Sequence, residues 1–399
     1  MKLRRRRELS AFFRDRLVND TVPFWTGHAV DREFGGFTTF LDRKGNPLSP
    51  DKPMWVQGRF AWLLARLYTT LERREEWLDL ARHGIEFIGR HGFDADGRVF
   101  FTVTRDGRPL RKRRYLFAEI FAILAFAEYA RASGDAGALA TARRTLALVQ
   151  RLLAIPEGSP GGLEPKVNPG TRSLRGHSMS MILVNALQVL RDADTSPDPL
   201  PYDALIGAQI DEVFRLFVKP ELHAVLEAVG PGGEYLAELP EGRCVNPGHA
   251  LETAWFVLGE ARRRGDAALV ERALPIIDWS LDRGWDRKHG GILYFVDVEG
   301  RQPSPYEWDM KLWWVHNEAL NATLLAHLMS GERCYERWFE RILAWSLARF
   351  PDRQFGEWFG YLHRNGSVSH ELKGNLWKGP FHLPRQQLAC HLMLAETLR

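Results

Sequence analysis

Two short stretches set a histidine one helical turn from an ionisable partner. In Asn246-Pro247-Gly248-His249-Ala250-Leu251-Glu252, His249 and Glu252 are three residues apart. In Trp377-Lys378-Gly379-Pro380-Phe381-His382-Leu383-Pro384-Arg385, His382 and Arg385 have the same interval. On a helix that interval puts both side chains on one face. Histidine titrates near neutral pH and suits proton transfer. Two such bases facing each other serve both faces of one carbon, as an epimerase or an aldose–ketose isomerase requires. A C–H beside a carbonyl is a weak acid, and its enediolate needs cationic donors at oxygen. Arg59, Lys311 and Arg385 are candidates. Lys311, Trp314 and Glu318 fall at i, i+3 and i+7, one stripe, for which a surface salt bridge is an equal reading. Arg59 lies between Trp55 and Trp62; if buried it needs a counter-charge or an oxygen-rich ligand. Phe117 and Glu119 offer a core residue and a buried ion pair. Trp-rich cores account for most chains with as many as 14 Trp in 399 residues, and sugar clefts that stack pyranose on indole for some.

Other chemistries lack their residues. There is no Gly-Lys dipeptide, hence no Walker A loop, and no GxGxxG or HExxH. Gly176-His177-Ser178-Met179-Ser180 falls one residue short of a nucleophile elbow and lies on an expected helix. The 13 His show no zinc-ligand spacing, so neither a metal nor any other cofactor is expected. The three cysteines form no CxxC, so a reducing, cytoplasmic setting is the simpler reading. The basic start, Met1 to Arg7, leads into a charged amphipathic stretch rather than the apolar core of a signal peptide. No apolar run approaches the ~20 residues needed to span a bilayer. A net charge of +4 does not argue for nucleic acid. The expected partner is a small monosaccharide, with no nucleic acid and no membrane; a homodimer is left open.

The elements that must position these residues repeat along the chain. A turn, a Gly-Gly or Asp-Gly, a short β-like stretch and a second turn recur at Asp31–Pro47, Phe93–Pro109, Ser159–Pro165, Glu221–Leu236, Trp285–Gly300 and Asp352–Gly366. The third and fourth copies are loose. Helices following these hairpins are expected to start near 54, 114, 177, 247, 309 and 380. Helices preceding them are expected over 5–25, 74–91, 135–154, 200–219, 266–284 and 332–349. Six helix pairs without linkers must stack to bury their apolar surface. Stretches such as Met179–Val184 and Ala250–Leu258 are apolar on most faces, which favours closure. The expectation is one all-α domain over residues 1–399, an (α/α)6 barrel with the post-hairpin helices as its inner ring. All six hairpins then lie on one face, around a central funnel.

Several blocks in order carry a resemblance to a known family. They are Trp55-Val56-Gln57-Gly58-Arg59, Thr104–Pro109, Asn246–Glu252, Met310-Lys311-Leu312-Trp313-Trp314, Gly356–Leu362 and Lys378–Arg385. From about Phe24 onward the chain resembles the N-acylglucosamine 2-epimerases, in the wider family with cellobiose 2-epimerases and mannose isomerases. The resemblance implies an (α/α)6 fold, His249 and His382 as the two acid/base histidines, and substrate contacts from Arg59, Glu252, Glu318 and Arg385. It implies ring opening, deprotonation of C2 and return of the proton on the other face, without redox cofactor or metal. Met181 stands where the cellobiose and mannose enzymes carry a further histidine, and Phe117 where the cellobiose enzymes carry tyrosine. Both point to the N-acylglucosamine branch, hence to N-acetylglucosamine and N-acetylmannosamine. Some members of that branch respond to ATP, but nothing here resembles a nucleotide loop.

Three other readings stay open on the sequence. An aldose–ketose isomerase would start with the same C2 proton and reprotonate C1. An (α/α)6 glycoside hydrolase would use Glu252 and Glu318 as acid and base. A sugar-binding or protein-interaction toroid would need no proton carriers.

Overall fold

A computed structural model describes residues 1–112, 115–165, 167–168 and 170–398. Helix α1 (Leu3–Arg16) passes through a π-helical turn at Leu17–Thr21 into α2 (Val22–His28). Eleven helices follow: α3 (Met54–Thr70), α4 (Glu75–His91), α5 (Phe117–Ser133), α6 (Ala136–Ala154), α7 (His177–Ala193), α8 (Tyr202–Leu216), α9 (Pro247–Arg264), α10 (Ala267–Gly284), α11 (Trp313–Ser330), α12 (Arg333–Arg349) and α13 (His382–Glu396). The starts expected near 309 and 380 fall at Trp313 and His382. The start expected near 114 lies outside the described residues, and α5 begins at Phe117.

Helices α3, α5, α7, α9, α11 and α13 pack on one another in sequence, and α13 returns to α3, closing an inner ring. Each inner helix also packs against the outer helix that follows it, from α3 with α4 to α11 with α12. The last, α13, packs against α1, so the two ends of the chain complete the sixth pair. The fold is an (α/α)6 toroid. The inner helices are buried on nearly every face, as α5 and α11 show, whereas the outer ones bury one stripe. At three inner-to-outer turns a glycine (Gly134, Gly265, Gly331) takes the left-handed conformation past the last helical turn. Asp135 and Asp266 then cap the next helix through their side chains.

The hairpins form a collar on one face. The residues just before an inner helix pair with the next hairpin: Lys52–Pro53 with Thr102–Val103, Arg175–Gly176 with Ala228–Val229, Cys244–Val245 with Val296–Asp297, and Lys311–Leu312 with Tyr361–Leu362. The loose third copy, Ser159–Pro165, forms turns and no strand. Three hairpins are also stapled by a repeated ion triad. Asp31 accepts from Lys52 Nζ at 2.9 Å and Arg105 Nε at 2.8 Å. Asp286 accepts from Lys311 Nζ at 3.0 Å and Arg364 Nε at 2.9 Å. Asp352 meets Lys373 Nζ at 3.0 Å and Arg43 Nε at 2.8 Å. In each case the arginine comes from the next hairpin around the ring, and Arg43 with Asp352 closes the last gap. The cations hold all three carboxyls far below the usual carboxylate range, against a burial penalty.

Removing one member of a buried ion group strands the others, which costs on the order of 3–5 kcal/mol. Asp352→Ala is therefore expected to lower stability by about that much in urea unfolding, whereas Asp79→Ala, at an exposed aspartate, leaves it nearly unchanged. The triad's contribution is full above the ordinary carboxylate pKa and is lost as pH falls toward the depressed native value.

Candidate active site

The inner-helix starts point their polar residues into the funnel. Asn246 Oδ1 caps α9 by accepting from His249 N at 3.1 Å, with Pro247 in the first turn, as the sequence suggests. This fixes His249 at the mouth of α9. Its Nδ1 lies 2.9 and 3.1 Å from the two oxygens of Glu227. His382 opens α13, and its Nδ1 lies 2.7 Å from Glu318 Oε1. Both imidazoles pack on the Trp314 ring, at centroid distances of 5.1 Å for His249 and 5.5 Å for His382. Each Nδ1 is directed at a carboxylate, and neither Nε2 has a protein partner among the described residues.

Glu252, Glu318 and Arg385 meet where α9, α11 and α13 converge. Arg385 Nη2 donates to Glu252 Oε1 and, at 2.7 Å, to Glu318 Oε1. Trp255 Nε1 donates to the other Glu318 oxygen at 2.8 Å. Donor atoms of Glu252, Glu318 and His382 lie within 4.8 Å of one another, a spacing suited to a cation. The Arg385 guanidinium already provides the positive charge that bridges the two carboxylates. Arg59 is the other buried cation. Its guanidinium lies 4.4 Å from the Trp55 ring, 4.2 Å from Phe121 and 4.9 Å from Phe381. No carboxylate is within ion-pair distance of it among the described residues, and its Nε has no hydrogen-bond partner. Burial pushes its pKa down to about 9 although Glu252 is near. This is a cation short of an oxygen ligand.

The two imidazoles differ in their surroundings. Burial opposes charge on His249, but Glu227 and the more distant Glu252 and Glu318 outweigh it and raise its pKa. Burial and the neighbouring Arg385 and Arg59 guanidiniums hold His382 well below the ordinary value. A proton shared by the pair is thus biased toward His249 over His382.

The structure brings His249, His382, Glu252, Glu318, Arg385, Trp314 and Arg59 together. It does not bring Lys311 with them. Lys311 lies in a strand before α11, not on the helical stripe expected with Trp314 and Glu318, and its ammonium is buried against Asp286 and the Gly291 carbonyl. Phe117 opens α5 one turn before Phe121 and is half-buried. Met181 is buried on α7, one turn beyond His177. Glu119 forms the buried ion pair anticipated for it, with Arg98. Glu227 was not anticipated. It sits in the loosest hairpin copy, and its one signal was an acid within the apolar strand stretch Val225-Leu226-Glu227-Ala228.

The family model for N-acylglucosamine 2-epimerase (GlcNAc 2-epimerase) matches residues 35–382. The chain is 36% identical over 394 residues to the N-acylglucosamine 2-epimerase of Bos taurus, covering 97% of this chain and 92% of that one. The chain belongs to the N-acylglucosamine 2-epimerase family. It is therefore an isomerase, an epimerase acting on a sugar. The cellobiose 2-epimerase of Dictyoglomus turgidum is 24% identical over 388 residues, covering 94% of this chain and 96% of that one. The solved structure of cellobiose 2-epimerase from Spirochaeta thermophila DSM 6192 superimposes with a TM-score of 0.82 at 20% identity, covering 99% and 98% of the two chains, and shares the fold. No helix among the described residues is long and apolar enough to cross a membrane.

A histidine-selective ¹⁵N NMR titration of the free protein is expected to show His249 losing its proton above pH 6.5 and His382 well below it. In Glu227→Gln, the His249 titration is expected to move to lower pH.

Proposed function

We propose that this chain interconverts N-acetylglucosamine and N-acetylmannosamine at C2, with His249 and His382 as the two proton carriers. The observation that carries the reading is the pair of imidazoles on one Trp314 ring, each tied at Nδ1 to its own carboxylate. In one direction, neutral His382 removes the C2 proton of the open-chain sugar. The C–H electron pair becomes the C1–C2 double bond, and the C1 oxygen takes the negative charge. Arg59, the buried cation without a carboxylate, faces that oxyanion, and Arg385 adds to the positive field. Protonated His249 then delivers its proton to the opposite face of C2. The reverse reaction exchanges the roles.

The substrate branch rests on the closer likeness to the Bos taurus relative, at 36%, than to the Dictyoglomus turgidum one, at 24%. Met181 and Phe117, which stand where the resemblance gives the cellobiose enzymes histidine and tyrosine, support the same branch. A hydrolase reading is weaker. Its general acid must carry a proton, yet Glu252 and Glu318 both accept from the Arg385 guanidinium. The proposed substrate is a single small sugar, and a cytoplasmic enzyme is the companion proposal.

The test is product analysis by proton NMR after incubation with N-acetylglucosamine, with mannose and cellobiose as controls. The expected product is N-acetylmannosamine, with turnover retained in EDTA. His249→Ala and His382→Ala are each expected to lower interconversion by about 10²–10⁴-fold, the usual loss for a general acid–base group. A ketose product, a cleaved disaccharide, or an alanine variant with near wild-type turnover would overturn the assignment.

A further inference from the structure

Glu227 has a second imidazole against it. His177, the first residue of α7, is fully buried and places its Nδ1 3.6 Å from Glu227 Oε1. Its Nε2 lies 3.0 Å from Thr253 Oγ1, on α9 one turn beyond His249. Backbone bonds fix this meeting point: His177 N donates to Glu227 O at 3.0 Å, and Glu227 N donates to Cys244 O at 2.9 Å. Glu227 is thus pinned between the starts of α7 and α9. The ring of Phe217, 5.3 Å away, covers the other side of His177.

The tautomer follows from electrostatics. A ring nitrogen lone pair aimed at a buried carboxylate is repulsive, so the His177 proton belongs on Nδ1, facing Glu227. Nε2 faces the Thr253 oxygen, whose single proton also has the His249 carbonyl at 2.9 Å as an acceptor. The contacts run from Thr253 through His177 to Glu227, the last an electrostatic contact at 3.6 Å, longer than a hydrogen bond, with His249 hydrogen-bonded on the other side of the same carboxylate. We propose that His177 is a positioning residue for the sugar chemistry, acting through Glu227 to set the orientation and proton affinity of His249. It touches neither the funnel nor the substrate. The carboxylate holds His249 by hydrogen bonds and faces the dipole of the second imidazole at 3.6 Å, which keeps His249 from retaining its proton too tightly.

The other groups facing this cluster are few. Both imidazoles help to hold Glu227 ionised, near pKa 2, against the cost of burial. The Cys244 thiol beside Glu227 is pushed up to about 12, by burial first, and stays neutral. Tyr294 is likewise raised by burial. Glu252 and Glu318 act on His249 from α9 and α11. On the α8 side, Glu212 is taken by Arg175 and Ser180. None of these replaces the His177 ring beside Glu227.

The proposal rests on the epimerase reading for its kinetic consequence but not for its titration. His177→Phe removes both ring nitrogens while keeping a flat ring beside Phe217; His177→Asn is the second variant should the first fail to fold. In the ¹⁵N titration of the free protein, His249 is expected to lose its proton about one pH unit higher than in wild type. With sugar, kcat is expected to fall about 10–100-fold, the range seen when the partner that orients a metal-bound histidine is lost, with KM nearly unchanged. In a Glu227→Gln background, His177→Phe is expected to add less than about twofold, because the effect passes through the missing carboxylate. An unmoved His249 titration in the folded variants, or a kcat loss that multiplies fully in the Glu227→Gln background, would overturn the proposal. No sugar turnover by the wild type, with the titration shift intact, would instead count against the substrate assignment.

Discussion

One guanidinium buried between two carboxylates ties the site together. Arg385 reaches from α13 to Glu252 on α9 and Glu318 on α11, three successive helices of the inner ring. Removing such ions from water costs several kcal/mol each, recovered only when their geometry is held closely. The aromatic rings of Trp255 and Phe381 around Arg385 exclude water and leave each charge dependent on its partners. The collar of Asp–Lys–Arg triads does the same work on the hairpin face, where it locks one hairpin to the next. Helix packing around the ring and site assembly are thus one constraint. Parting α13 from α11 would strand buried charges in the funnel, and opening the last seam would strand Asp352 in the collar.

From that constraint comes the asymmetry of the two histidines. Glu318 divides its charge among Arg385, Trp255 and His382, so it offers His382 little net negative field. Among the described residues the Glu227 carboxylate has no arginine or lysine as a hydrogen-bond or ion-pair partner, only imidazoles, and its charge falls chiefly on His249. The same residue type is thereby shifted in opposite directions by its surroundings. A pair poised in this way carries one acid and one base, as a stereochemical inversion at carbon requires.

Much of this was legible in the sequence because it is local. Helix periodicity, Gly-Asp turns and the recurring turn-Gly-Gly units led to the toroid, and the i, i+3 spacings of His249 with Glu252 and His382 with Arg385 marked two inner-helix starts. What was not legible depends on pairing across the ring. Lys311 sits in a stretch resembling the helix that follows, yet it belongs to a strand and to Asp286, 25 residues earlier in the chain. Glu227 is 22 residues from His249 in an irregular hairpin, with no spacing to announce the contact. His316 shows the converse case. It lies on α11 between Trp314 and Glu318 in sequence, but its ring is buried, satisfied by Ile292 N and Leu312 O, and pushed down to about 3 by burial. Only the folded ring separates such structural imidazoles from the two that face the funnel.

The most direct test of two bases on one carbon is the exchange of C2–H in D₂O, followed by proton NMR for each epimer separately with each single-histidine variant. With one base gone, the other can still take the proton from the epimer that presents C2–H to it. His249→Ala should wash deuterium into one of N-acetylglucosamine and N-acetylmannosamine, and His382→Ala into the other, with neither variant interconverting them at more than about 1% of the wild-type rate. Both variants labelling the same sugar, or label appearing at C1, would contradict a mechanism in which each histidine serves its own face of C2.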